Sequence, residues 1–114
     1  MTHINKSMEV NRKGDLAENY AITWLWEQNY EVFRNAGRTG EIDLIAVDPN
    51  QVVVKIDVKT MHVFDNGEVM IKSCRTPRQK KIGVVILGFD PSTKNCRWIK
   101  HADHSNIIQL QLAI

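Results

Sequence analysis

Residues 40–60 read G-E-I-D-L-I-A-V-D-P-N-Q-V-V-V-K-I-D-V-K-T, two β-branched apolar runs on either side of an Asp-Pro-Asn turn. A chain with this stretch at its centre has to build a sheet around it. Strand residues alternate between faces, so Ile42, Leu44 and Ala46 share one side while Asp43, Ile45 and Val47 share the other. In the second run Val52, Val54, Ile56 and Val58 form the apolar side and leave Val53, Lys55, Asp57 and Lys59 opposite. If the runs pair as a hairpin with their apolar sides matched, Asp43 falls beside Asp57, with Lys59 next to them. Such a face is either the wetted side of an antiparallel hairpin or two carboxylates and an ammonium gathered around a hard divalent cation. A cation of the Mg²⁺ kind takes oxygen ligands, and the ammonium beside it can orient a water against a phosphate.

The frame around the hairpin is that of one globular domain. A length of 114 residues supports a single core, here expected over residues 13–100, with residues 1–10 read as frayed and residues 105–114 as an apolar tail. No apolar run is long enough for a membrane span and the N-terminus lacks a signal-peptide core, which gives the expectation of a cytoplasmic protein. Two cysteines, Cys74 and Cys96, are too few for a disulfide framework and are read as thiols. The net charge of +2 is modest, but setting aside acids neutralised in a metal site leaves a balance suited to an anionic partner. The run K-S-C-R-T-P-R-Q-K-K at residues 72–81 is half Lys or Arg and contains no acid; it is either a solvated face or a basic patch.

Ahead of the hairpin, Ala17, Tyr20, Ala21, Trp24 and Leu25 follow helical spacing and predict a helix over residues 13–28, with Asn11 or Asp15 as its cap. Glu18 lies at the edge of that stripe. It either suits the first turn of the helix dipole or leans toward the acidic strand face. Asn29 ends the helix, residues 30–34 form a strand, and a Gly-containing basic loop follows at residues 35–40, placing Arg34 and Arg38 near Asp43, where they could contact a nucleic-acid backbone.

Beyond the hairpin a segment at residues 61–64, an Asp65-Asn66-Gly67 turn and a return at residues 68–71 read as further strand pairing. Thr76, Pro77 and Gln79 compose a capping box with Pro at the first helical position, and Gly83 closes a short helix. Gln79 is either a cap or a site residue. Residues 84–89 look like a buried strand, residues 90–95 a loop and residues 96–99 a last strand. His101 and His104 are read as a solvated pair. The alternating Ile108, Leu110, Leu112 and Ile114 suggest a final strand or a surface for a second chain.

The element order α-β-β-β-α-β, with G-D-L-A-E at residues 14–18, G-E-I-D-L-I-A at 40–46, K-I-D-V-K-T at 55–60 and T-P-R-Q at 76–79, resembles the PD-(D/E)xK, or restriction-endonuclease-like, nuclease superfamily. Within it the chain looks most like small archaeal-type Holliday-junction resolvases. The resemblance implies an α/β fold with a mixed central sheet of about five strands flanked by helices, and a metal-dependent endonuclease acting on branched or otherwise structured DNA. It implies that Asp43 and Asp57 ligate Mg²⁺ or Mn²⁺, that Glu18 is an outer ligand, that Lys59 positions the attacking water, and that Gln79 is a polar site residue. Arg34, Arg38, Lys72, Arg75, Arg78, Lys80 and Lys81 then form a phosphate-binding rim. Relatives of this kind suggest a homodimer at work on nucleoid DNA. Two residues depart from the usual pattern, with Ile42 before Asp43 in place of Pro and Asp57 in place of the more common Glu. Nuclease action on ordinary duplex or nicked DNA, and a non-catalytic nucleic-acid-binding module on the same fold, are the alternative readings.

Overall fold

The computed structural model describes residues 6–100 and 108–109. Its first element, α1 (Lys6–Glu27), packs through Ala17, Ala21 and Leu25, spaced by four residues and at most 3% exposed. Asn29 closes α1 in the left-handed region (φ 67°), and the Tyr30 N–H donates to the Leu25 carbonyl. The helix starts earlier than its apolar stripe predicts. Residues 9–16 are exposed, so no burial pattern announces them, yet nothing between Lys6 and Lys13 breaks a helix, and Asn11 and Asp15 lie inside α1 instead of capping it.

The sheet is organised by one long central strand. β1 (Glu31–Arg34) pairs antiparallel with β2 (Leu44–Val47), and β2 pairs antiparallel with β3 (Val53–Val63) in the register Leu44 to Ile56 and Ala46 to Val54. β5 (Val85–Asp90) runs parallel to β3, Ile56 to Val85 through Thr60 to Phe89, and β6 (Asn95–Ile99) pairs antiparallel with β5. The central sheet is therefore mixed and five strands wide, ordered β1-β2-β3-β5-β6. The far half of β3 carries two more strands, β4 (Val69–Ile71) and then β7 (Ile108–Gln109), both antiparallel. The strand runs on past its expected end at Lys59, and residues 61–63 are the continuation of β3, since no turn residue interrupts the chain after Thr60. At the hairpin end the turn takes in Gln51 (φ 69°), and Asp48 accepts from the Asn50 and Val52 N–H groups. Val52 thus falls outside the strand and is 54% exposed, contrary to its expected place on the inner side.

Two apolar layers follow from this register. Leu44, Ala46, Ile56, Leu87, Phe89 and Trp98 meet Ala17, Ala21 and Leu25 of α1 on one face. Met61, Val69, Ile71, Ile86 and Ile99 form a second cluster. α2 (Pro77–Ile82) is held on the face bearing Lys55 and Asp57, since the Lys55 ammonium donates to the Ile82 carbonyl at 2.8 Å and Gln79 donates to Asp57. The predicted capping box is present: Thr76 Oγ1 accepts from the Gln79 N–H, Gln79 Oε1 accepts from the Thr76 N–H, and Gly83 ends the helix at φ 79°. Cys74 and Cys96 form no disulfide, and burial pushes the Cys96 thiol up to about 12. Among the described residues no helix is long and apolar enough to cross a membrane. His101, His104 and most of the apolar tail lie outside the described residues.

Candidate active site

The site forms where two strands part company. β2 leaves β3 at Asp43, whose N–H donates to the Ile56 carbonyl at 2.8 Å, and β4 joins β3 only at Met61. From Asp57 to Thr60 the strand partner of β3 is β5 alone among the described residues. The Val58 N–H, which a continued β2 ladder would have satisfied, donates instead to Asp43 Oδ2 at 2.7 Å. That bond fixes the Asp43 carboxyl against the strand that carries Asp57.

Asp57 is oriented from several sides. Its Oδ2 accepts from Gln79 Nε2 at 3.0 Å and lies 3.3 Å from the Lys59 ammonium, which also donates to Ser73 Oγ at 3.0 Å. The side chains of Asp57 and Lys59 are 14% and 23% exposed. Gln79, buried within the fold, spends its remaining amide hydrogen on the Glu41 carbonyl, and Thr76 Oγ1 meets Glu41 Oε2, so the start of α2 is tied to the approach to β2. Glu18 comes from α1, held by Arg34 Nε at 3.2 Å.

The three carboxylates Glu18, Asp43 and Asp57 border a cleft of about 640 Å³. Asp43, Asp57 and Val58 line it, α1 contributes Asn11, Gly14, Asp15 and Glu18, and the β1–β2 loop contributes Asn35 and Arg38. Burial, then a hydrogen bond shared with Asp57, push the Asp43 carboxyl up to about 7; the Asp57 and Glu18 charges add to this, and the Val58 N–H pulls the other way. Two carboxyl groups that share a hydrogen bond need a proton between them or a cation in its place. Among the described residues no three His, Cys, Asp or Glu side chains close into a metal shell by themselves. The Asp43–Asp57 pair nonetheless fits a cation of the Mg²⁺ kind, which commonly keeps most of its waters and takes one or two carboxylates.

The fold thus brings Glu18, Asp43, Asp57, Lys59 and Gln79 to one place. The basic residues fare differently. Lys72, Arg78, Lys80 and Lys81 are exposed, whereas Arg75 is half-buried and donates through Nη1 to the Val84 carbonyl at 3.2 Å. Arg34 is engaged by Glu18 and Asn19, and Arg38 by Asp15. Three contributors escaped the sequence reading. Ser73 and Glu41 carry no local signal. Asn35 does, because Asn ahead of a glycine favours an Asx turn: its Oδ1 accepts from the Gly37 and Arg38 N–H groups and its Nδ2 donates to the Thr39 and Ile42 carbonyls.

The pattern of the PD-(D/E)XK endonuclease family matches residues 8–110, nearly the whole chain. The chain belongs to the PD-(D/E)XK endonucleases. Asp57-Val58-Lys59 reads D-x-K on the central strand. Among solved structures the chain is similar to a bacterial homing endonuclease, I-Ssp6803I, with a TM-score of 0.64 and 17% identity over 98% of this chain and 78% of that one. At that identity the likeness concerns the fold. No curated protein matches the sequence.

Proposed function

We propose that the protein is a divalent-metal-dependent endonuclease that hydrolyses phosphodiester bonds in DNA, with branched DNA as its substrate. The observation that carries this reading is the meeting of Asp43 and Asp57 at the point where β2 leaves β3, with the Lys59 ammonium 3.3 Å from Asp57. Asp43 and Asp57 would hold Mg²⁺ or Mn²⁺, with Glu18 as an outer ligand; the ion supplies Lewis-acid charge beside the phosphate. Lys59, steadied by Ser73, positions the attacking water and offsets negative charge on the phosphate in the transition state. Gln79 holds Asp57 in place, while the Val58 N–H does the same for Asp43. Exposed Lys72, Arg78, Lys80 and Lys81 supply contacts for the backbone of the nucleic acid.

The choice of branched DNA rests on the likeness of the motifs to resolvases, and a homodimer with two symmetric sites follows from the same likeness. A monomeric mass by sedimentation would remove the dimer. The substrate is tested by cleavage of a synthetic four-way junction beside linear duplex and single-stranded DNA, each with Mg²⁺, Mn²⁺ or EDTA. Junction-selective, metal-dependent cutting is the expected result. Equal cutting of all substrates discards the junction and keeps the nuclease; salt-sensitive binding without cutting overturns the enzyme in favour of a binding module.

A further inference from the structure

Arg38 lines the cleft with its guanidinium taken by the Asp15 carboxylate of α1. The loop around Arg38 is built independently of that pair. Arg38 adopts a left-handed backbone (φ 58°), and Asn35 braces it by accepting its N–H at 3.1 Å and that of Gly37 at 3.0 Å. Asp15, by contrast, sits on the exposed part of α1, before core packing begins at Ala17. The backbone of one partner is fixed by its loop, and the other partner lies on an unpacked stretch.

A guanidinium fork fits a carboxylate and a phosphate equally well in shape. We infer that Arg38 is a seat for a phosphodiester of the substrate and that Asp15 fills this seat in the free protein as an internal competitor. This rests on the nuclease reading of the adjoining carboxylate pair. Both side chains of the ion pair are about half exposed, so the pair is weak and yields to a polyanion that also releases counterions. Asp15 thereby weakens binding to any anion that fails to displace it, while costing a true substrate little.

The test is binding of a fluorescently labelled linear duplex to the full chain in EDTA, followed by anisotropy at fixed salt. Wild type is compared with Asp15→Asn, Arg38→Gln and the double variant, and with Glu9→Gln, which removes the same charge six residues earlier on α1. Asp15→Asn is expected to tighten binding about two- to fivefold, Arg38→Gln to weaken it, and Asp15→Asn to add nothing once Arg38 is gone. Equal tightening by Glu9→Gln, together with a persistent Asp15→Asn gain in the Arg38→Gln background, overturns the seat and leaves a net-charge effect. No tightening by Asp15→Asn overturns it also. If no form of the chain binds duplex or junction at any salt, the nuclease reading falls with it, a pattern distinct from binding without coupling.

Discussion

Asp43 carries a conflict between stability and chemistry that a melting curve can read. Burial pushes its carboxyl up to about 7 in the folded chain, against about 3.9 in an unfolded one, so ionising it opposes folding. Below about pH 4 the group is protonated in both states and costs nothing; the cost grows between about pH 4 and 7 and is constant above. In EDTA, Asp43→Asn should therefore melt above wild type at pH 8, with the gap closing as the pH falls toward 4. A variant less stable than wild type at pH 8 would contradict the buried, repelled carboxyl. Much of this residue set was legible in the sequence because alternation and hairpin register are enough to place Asp43 beside Asp57 and Lys59. Ser73 and Glu41 were not, since their links to Lys59 and to Gln79 and Thr76 depend on how distant loops fold back, over 14, 38 and 35 residues.

At the scale of elements, α2 was the most readable because Thr76, Pro77, Gln79 and Gly83 encode it within eight residues. The start of α1 was hidden by the absence of any buried face before Ala17, and the length of β3 by its change of neighbours, β2 and β5 first and β4 later. The joint between β3 and β5 is tight on the side of the second cluster. A Cβ at Gly88 would stand 2.6 Å from Met61 Sδ and 3.0 Å from Ile99 Cδ1. Gly88→Val should cost about 1–3 kcal/mol by overpacking, read as a lower urea midpoint, and Gly88→Ala less because the Met61 thioether can swing aside. An unchanged midpoint for Gly88→Val would mean that Met61 and Ile99 do not pack over Gly88 as closely as the structure shows.

Across the whole molecule, the sheet sets α1 with Glu18 against one face and α2 with Gln79 against the other, and the cleft opens where the β2 edge ends. Exposed cations follow from the end of β4 along α2, and they should act collectively on a polyanion. Arg78→Ala and Lys81→Ala are each expected to weaken DNA binding and to lower the slope of log affinity against log salt by about one. An unchanged slope would take those side chains out of the interface. The most direct test of the proposed catalytic centre is the cleavage rate of Asp57→Asn in Mg²⁺ on whichever DNA the wild type cuts fastest, using protein shown by its melting curve to be folded. A loss of at least about a hundredfold is the expected result. Wild-type rates from that folded variant would contradict the assignment of the Asp43–Asp57–Lys59 cluster as the seat of hydrolysis.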